Sequence, residues 1–302
     1  MRRVGSHVNL ELFVARLRRP LGRLRRRVRA SWEAATNTRA VSGRESAESR
    51  LFLPVGYRWR LKPRYFDDIP SASGAVAQPD VYEVVEGLAN ALGASTIVDL
   101  GCGRAGKLAG LARAYAVVGA DFGGNLEYCR RTHDWGSWVE MDLDSGDPFP
   151  LGSEFYRGAV LVSADVVEHL AHPNRLVGLI AAMLESAAVA VVSTPDRVRT
   201  WGVDHLGPPP NPSHMREWDL AEFREFLQSC GLQVIHAGYT RANTLDEEGH
   251  NILAVCAGSR ISSEQADRAA LVAQRIAERA VSASPNGRRE VRQAADAPPR
   301  TL

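Results

Sequence analysis

Histidine and carboxylate side chains are concentrated in two stretches of the sequence that are suited to acid–base chemistry. In the first, SADVVEHLAHP at residues 163–173, Glu168 lies next to His169. The second, a proline-rich stretch at residues 195–217, contains His214. Imidazole is the side chain best suited to accept a proton from a hydroxyl group near neutral pH. We therefore predict His169 and His214 as catalytic residues, with Glu168 orienting a histidine or binding substrate. A histidine that merely begins a helix is the alternative for His169.

A glycine turn precedes these stretches, in the sequence VDLGCGRAG. The apolar, β-branched residues 96–100 predict a buried strand, and residues 107–114 predict a helix. Gly101, Gly103 and Gly106 fall between them. Glycines are needed where a backbone turns sharply and a ligand must approach it closely. The N-terminus of the following helix offers unpaired N–H groups to an anion.

Acidic residues follow three further predicted strands. Asp121 and Asp142 come directly after apolar runs at residues 115–120 and 138–141, and Asp165 follows the run at residues 159–163. Alternating strands and helices predict an α/β fold with a doubly wound, mostly parallel sheet of seven strands, in which residues 232–237 and 252–257 form an antiparallel pair. The carboxyl ends of parallel strands meet at one edge, where ligands bind.

These motifs, in this order, resemble a known family. Asp-x-Gly-x-Gly-x-x-Gly is similar to motif I of class I S-adenosylmethionine (SAM) methyltransferases, and residues 163–173 and 193–227 resemble the ubiquinone-biosynthesis and small-molecule O-methyltransferase subgroup. The resemblance covers residues 80–258. It implies a Rossmann-like fold with SAM as cofactor, Asp121 accepting from the ribose hydroxyls and Asp142 from the adenine amine. The cofactor-binding residues expected are Asp99, Gly101, Cys102, Gly103, Gly106, Asp121, Phe122, Asp142, Leu143 and Asp165.

A metal-binding pattern is a further resemblance. Asp165, Glu168, His169 and His214 resemble the Glu-x-x-Glu-His…His set of metal-dependent relatives that include small-RNA 3′-end methyltransferases. Carboxylate and imidazole ligands suit a divalent ion such as Mg, Mn or Zn. Here Asp165 replaces the first glutamate and has a shorter reach. We predict no metal, and keep these four residues as the candidate set.

The N-terminus differs in charge from the rest of the chain. Residues 1–32 contain ten Arg and one Glu, a formal charge of +9, whereas the 302-residue chain carries +2, so residues 33–302 carry −7. An apolar stripe at residues 8–30, flanked by arginines, predicts an amphipathic helix that contacts an anionic membrane. A loosely attached extension and a helix packed on a partner are the alternatives. The acidic remainder argues against nucleic-acid binding.

The expected domains are a basic helix and linker (1–50), an arm or flap (51–78), a SAM-binding domain (79–260), and a C-terminal helix with a disordered tail (261–302). The four cysteines have no Cys-x-x-Cys spacing, and no apolar run reaches 18 residues, so we predict a cytoplasmic protein. The predicted function is methyl transfer from SAM to a hydroxyl of a small-molecule or glycan acceptor. N-methylation, metal-dependent methylation of RNA ends, and a non-catalytic SAM-fold subunit remain alternatives. The sequence indicates no oligomeric state.

Overall fold

Apolar strands that alternate with helices form a central sheet in the computed structural model of the chain, which describes residues 37–41, 51–62, 64 and 76–282. The strands are β1 (Thr38–Ala40), β2 (Arg58–Arg60), β3 (Thr96–Leu100), β4 (Ala116–Asp121), β5 (Gly136–Glu140), β6 (Val160–Ala164), β7 (Val189–Pro195), β8 (Gln233–Thr240) and β9 (Asn251–Ala257). The helices are α1 (Pro79–Leu92), α2 (Leu108–Leu111), α3 (Gly123–Thr132), α4 (Pro173–Met183), α5 (Arg197–Trp201), α6 (Leu220–Ser229) and α7 (Ser263–Ser282). Two 3₁₀ turns span Ser153–Phe155 and Val167–His169.

Seven of these strands form one sheet in the order β5-β4-β3-β6-β7-β9-β8. The strands from β5 to β7 in this order are mutually parallel, and β9 runs antiparallel to both of its neighbours, β7 and β8. The predicted doubly wound sheet is therefore confirmed, with its antiparallel member at β9. The strand order reverses between β3 and β6, which is the point where such sheets bind ligands.

Both faces of the sheet are covered, because successive side chains of each strand point to opposite sides. In β7, Val189 and Val191 pack into one apolar cluster with α1 and α7, whereas Ala190 and Val192 pack into another with α4 and α6. The second cluster includes Trp218, which is fully buried and stacks on Phe226 with ring centres 5.3 Å apart.

Local sequence signals set the bounds of several helices. Pro79 opens α1, where its missing N–H costs nothing, and Gly93 ends it in the left-handed conformation at φ 68°. Asp219 and Glu222 form a reciprocal capping box at the start of α6. The helix after the glycine turn is shorter than the predicted 107–114, because the N–H groups of Ala114 and Tyr115 both donate to the Leu111 carbonyl and turn the chain into β4.

A two-stranded hairpin of β1 and β2 lies beside the sheet. The β2 N–H groups of Arg58 and Arg60 donate to the carbonyls of Leu206 and Met215, so the hairpin is bonded to the loop that follows β7. Residues 8–30, most of the linker, part of the 51–78 arm and the tail lie outside the described residues, and the predictions made for them stay predictions. Among the described helices, none is long and apolar enough to cross a membrane.

Candidate functional site

A cavity of about 570 Å³ lies at the carboxyl edge of the parallel strands, between the glycine turn and the segments that follow β4, β6 and β7. One side is the glycine turn, and the other is formed by two histidines. Many of the residues predicted from the sequence line it: Gly101, Cys102, Gly103, Asp121, Phe122, Leu143, Asp165, His169 and His214.

The Asp121 carboxylate is held at the end of β4 by two main-chain groups. Its Oδ2 accepts from the Gly103 N–H at 2.8 Å, and its Oδ1 accepts from the Phe122 N–H at 2.8 Å. These bonds orient the carboxylate in the cavity lining. A carboxylate has about four acceptor positions, which suits it to accept from both hydroxyls of a diol.

Gly101 meets two constraints that only glycine satisfies. Its φ is +90°, in the left-handed region, and a Cβ at this position would collide with the side chain of Val166. The turn thus packs directly against the segment after β6, and its backbone faces the cavity.

Three predicted cofactor residues do not line the cavity. Asp99 is fully buried beneath the turn, where its Oδ2 accepts from the Tyr82 hydroxyl at 2.8 Å, because its position in β3 directs it away from the ligand edge. Asp142 is exposed, and its Oδ1 accepts from the Asp144 N–H at 2.9 Å as a turn residue does. Gly106 has open space around it. Direct cofactor contact is thus better supported for the predicted residues that line the cavity.

Several polar lining residues were missed by the sequence analysis, namely Gln78, Lys107, Asn125 and Asn211. Gln78 is 2% exposed and left-handed at φ 49°, and its Oε1 accepts from Lys107 Nζ at 3.3 Å. Lys107 is one of the two lysines in the chain and directly follows the glycine motif, which was the available signal. This pair places a cation and an amide beside the turn.

The two predicted histidines meet in the cavity. Their rings are 4.7 Å apart between centres and nearly perpendicular, at 84°. His214 Nδ1 lies 2.5 Å from Glu217 Oε1, and its Nε2 lies 2.8 Å from Asn211 Nδ2. The acceptor oxygen of Glu217 requires Nδ1 to carry the proton, so Nε2 is the acceptor for the Asn211 amide. The unprotonated nitrogen of His214, Nε2, therefore lies on the side of the ring away from the Glu217 carboxylate.

Glu217 was also missed by the sequence analysis. It is 1% exposed, its Oε2 accepts from Trp201 Nε1 at 2.7 Å, and its main-chain N–H donates to the Tyr57 hydroxyl at 2.9 Å. The spacing of three residues between His214 and Glu217 was visible in the sequence, but the contacts that fix Glu217 come from distant elements. The carboxylate is therefore held in place against His214.

Burial alters the protonation of the other two predicted catalytic residues. Burial and then the nearby His214 lower the pKa of His169 to about 4, so this ring is neutral at neutral pH. Its Nδ1–H donates to the Ser213 carbonyl at 3.0 Å, which leaves the lone pair on Nε2. Burial and then Asp165 raise the pKa of Glu168 well above its usual value. Glu168 Oε1 lies 3.9 Å from His169 Nε2 and has no hydrogen bond within the described ranges.

Glu168, His169 and His214 also fit a divalent ion, because one ligand atom from each lies within 4.8 Å of the others. The Ser213 carbonyl and Glu217 carboxylate bond the outer nitrogens of the two histidines, as metal-ligating histidines require. Asp165 is not part of this cluster, since its Oδ1 accepts from Ser193 Oγ and Asn251 Nδ2. The candidate metal set is thus three residues rather than four.

Comparison with known proteins identifies the family. Residues 78–237 match the family model described as a methyltransferase domain. The chain belongs to this methyltransferase family. The match confirms the predicted class of enzyme and, with it, SAM as the cofactor, while the finer O-methyltransferase subgroup stays a prediction.

Individual relatives share 30% sequence identity or less with the chain. The chain is 30% identical over 158 residues to a probable S-adenosylmethionine-dependent methyltransferase of Mycolicibacterium smegmatis, covering 51% of this chain and 58% of that protein. It thus spans somewhat more than half of this curated relative. A SAM-dependent methyltransferase from Mesorhizobium loti is similar at 16% identity and a TM-score of 0.46, covering 60% of this chain and 98% of that one. An O-methyltransferase from neocarzinostatin biosynthesis is similar at 18% identity and a TM-score of 0.44, covering 60% of this chain and 53% of that one.

The buried charge at Asp99 makes the stability of the methyltransferase depend on pH. Burial raises the pKa of Asp99 from 3.8 to about 6, so at pH 8 the folded state holds an unfavourable anion. We expect Asp99→Asn to raise the free energy of unfolding at pH 8 by up to about 3 kcal/mol, and this gain to disappear as the pH falls from 6 to 4, where wild-type Asp99 takes up its proton.

Urea unfolding of both proteins at pH 8, 6 and 4 measures this difference. The exposed Asp204→Asn is the matched control, with no expected change beyond about 0.5 kcal/mol. If the free energies of unfolding of Asp99→Asn and wild type differ by a constant amount across this pH range, the raised pKa of Asp99 is contradicted.

Proposed function

We propose that this methyltransferase transfers a methyl group from SAM to a hydroxyl of a small-molecule or glycan acceptor, with His214 as the general base. The observation that carries the proposal is the His214–Glu217 pair, which faces the cavity opposite the glycine turn. Hydroxyl acceptors need a base, whereas more nucleophilic acceptors do not. A base supported by a buried carboxylate therefore favours oxygen as the acceptor atom.

The glycine-turn side of the cavity suits the cofactor. In this proposal the Asp121 carboxylate accepts from both ribose hydroxyls, and Phe122 and Leu143 offer apolar surface to the adenine; all three residues line the cavity. Lys107 and Gln78 bind the carboxylate of the methionine portion, which is supported by Lys107 being the one cationic side chain among the described lining residues. Asp165, which is left-handed at φ 53° and lines the cavity between the two sides, completes the cofactor end.

The histidine side suits the acceptor. Bound SAM would supply an electrophilic methyl carbon. The acceptor oxygen would bond to this carbon as the bond from the carbon to the sulfonium sulfur breaks and leaves a neutral thioether, and the hydroxyl proton would pass to His214 Nε2. Glu217 stabilises the resulting imidazolium through Nδ1–H, as a carboxylate does in other histidine-based sites. The Asn211 amide now bonded to Nε2 occupies the position that the acceptor hydroxyl would take.

His169 and Glu168 have a different role in this proposal. The neutral His169 ring packs edge to face on His214 and limits its orientation. Glu168 is fully buried, and its main-chain carbonyl accepts from the Met215 N–H at 2.7 Å, so it joins the two catalytic segments. Positioning of this kind contributes to rate by holding the reacting groups in line.

The clustered ligand atoms favour a second candidate mechanism for the same transfer. Glu168, His169 Nε2 and His214 Nε2 would hold a divalent ion, which would supply Lewis-acid activation of the acceptor hydroxyl. Glu168 Oε1 accepts no hydrogen bond from the described residues, which fits this role, but the Asn211 amide would have to leave His214 Nε2. A base and an ion both use Nε2, so the two mechanisms exclude each other at that atom.

The cofactor assignment predicts a loss of affinity on removal of the Asp121 side chain. Asp121→Ala removes the acceptor for the ribose hydroxyls and releases the Gly103 N–H, so S-adenosylhomocysteine binding should weaken by about 1.5–3 kcal/mol, or roughly 10- to 150-fold. Isothermal titration calorimetry with S-adenosylhomocysteine measures this loss of affinity. The exposed Asp147→Ala is the control and should bind as the wild type does. Equal affinity of Asp121→Ala and wild type would refute the assignment.

The catalytic assignment predicts a loss of turnover without a loss of cofactor affinity. His214→Ala should lower kcat by roughly 10²–10⁴-fold, as expected on loss of a general base, and Glu217→Gln should lower it less. The measurement is transfer of label from SAM to whichever members of a hydroxylated small-molecule and glycan panel the wild type methylates. His172→Ala, an exposed residue just before α4, is the matched control. Full turnover by His214→Ala would exclude it as the base.

The choice between base and ion predicts the effect of a chelator. Under the proposed mechanism, EDTA leaves turnover within about twofold of its starting value, because no proton transfer involves an ion. Turnover that is lost with EDTA and restored by Mg, Mn or Zn, together with stoichiometric metal found by elemental analysis, would instead establish the second candidate. Glu168→Gln distinguishes the general-base mechanism from the ion mechanism further. It removes a carboxylate ligand of the ion while leaving the His214–Glu217 pair in place.

A further inference from the structure

The β1–β2 hairpin carries a concentration of positive charge. The described residues between 37 and 64 include five cationic side chains and no acidic one: Arg39, Arg58, Arg60, Lys62 and Arg64. Four of them are exposed, and Arg60 is half-buried. Residues 33–302 as a whole carry a charge of −7, so this density of cations is a local feature and not a reflection of the overall charge.

Exposed apolar side chains accompany these cations. Val55 in the turn before β2 is 63% exposed, and Val203 and Leu206 in the facing loop are 73% and 42% exposed. The two segments touch, because the Arg58 N–H donates to the Leu206 carbonyl at 2.8 Å and Gly56 lies against the Leu206 side chain. We call this combined surface, made of residues 55–62, 64 and 203–206, the hairpin face.

The hairpin face lies near Asn37 and near the loop that contributes Asn211 to the cavity. Residues 1–36, with their arginine-rich stretch, join the fold at Asn37, whose carbonyl accepts from the Leu61 N–H at 3.0 Å. Arg60 Nη2 donates to the Pro209 carbonyl at 2.6 Å, two residues before Asn211, which lines the cavity. The face therefore lies next to Asn37, which follows the basic N-terminus in sequence, and next to the loop on the acceptor side of the site.

We propose that the hairpin face docks on an anionic lipid surface. Cationic side chains near such a surface are attracted by its negative potential, and apolar side chains set among them gain by entering the interface. A face for nucleic acid would instead need side chains that stack on bases, and Trp59, the one aromatic of β2, is half-buried with Arg39 over its ring. The mixture of exposed valine, leucine and cationic side chains is complementary to lipid headgroups and the acyl region below them.

Vesicle sedimentation of the full chain tests the proposal. The vesicles are phosphatidylcholine alone, or phosphatidylcholine with one third phosphatidylglycerol. We expect binding to the anionic vesicles only, with loss in about 0.5 M NaCl because surface charges are then screened. Lys62→Glu/Arg64→Glu should weaken binding by at least about tenfold, and Val55→Ser/Val203→Ser should weaken it by several-fold at unchanged charge.

The control matches the charge change at another place. Arg113→Glu/Arg275→Glu reverses two exposed arginines outside the hairpin face and should bind vesicles as the wild type does. All variants keep residues 1–36, and their calorimetric affinity for S-adenosylhomocysteine should be unchanged, which shows folding separately from docking. This readout also separates a failure of the docking proposal from a failure of the proposed function.

Three outcomes would overturn the proposal. One is the absence of binding to anionic vesicles. Another is equal binding by wild type and Lys62→Glu/Arg64→Glu, which would assign all membrane contact to residues 1–36. The third is tight binding of a single-stranded oligonucleotide that is lost in the same double variant while vesicles do not bind, which would assign the face to nucleic acid.

Discussion

The main chain of Met215 carries two hydrogen bonds on which the position of the histidine pair depends. Its N–H donates to the Glu168 carbonyl at 2.7 Å, and its carbonyl accepts from the Arg60 N–H at 2.8 Å. One bond joins the loop after β7 to the 3₁₀ turn after β6, and the other joins the same loop to the hairpin. Because His214 and His169 are the immediate neighbours of Met215 and Glu168, the first bond brings the two rings together. The geometry of the acceptor side thus follows from backbone pairing between segments far apart in the chain.

Buried charge surrounds this junction and gives the site its chemical character. Arg216 is 2% exposed, donates to the carbonyls of Leu170 and Ala171, and has its pKa lowered to about 10 by burial. Glu217, the next residue in the chain, is also buried, and so is Glu168, whose carbonyl accepts from the Met215 N–H. Desolvated groups are expensive to keep in a folded protein and interact more strongly than exposed ones. Fixed dipoles and charges at this site therefore lower the stability of the folded methyltransferase, as is common at functional sites.

The sequence was sufficient to predict the sheet and the position of residues that depend on local geometry. That Gly101, Gly103 and Asp121 line the cavity was predictable because a turn and the end of a strand are defined by neighbouring residues. Asp99 and Asp142 show the limit of this reasoning. Position at a strand end says which edge a residue occupies, but not whether its side chain faces the ligand, the core or its own turn.

Residues whose roles depend on distant partners were beyond the sequence signals. Glu217 is fixed by Tyr57 and Trp201, and Gln78 acquires its place from the Ala242 carbonyl, which accepts its N–H. Asp165 was expected to share a site with Glu168, yet its carboxylate is bound by Ser193 and Asn251, which only the pairing of β6, β7 and β9 brings near it. In each case the missing information was which segments far apart in the chain lie in contact.

The position of β9 has a consequence for biosynthesis. Residues 189–192 of β7 are apolar on both faces. Among the described strands, β7 pairs on its outer side only with β9, and β8, which is made earlier, also pairs only with β9. As the chain emerges from the ribosome, the sheet from β5 to β7 can assemble before residues 251–257 exist. During that interval β7 presents an unpaired, apolar edge, which is a template for association with other chains. Inserting one late antiparallel strand thus makes the nascent protein vulnerable to aggregation for as long as residues 196–257 take to be translated.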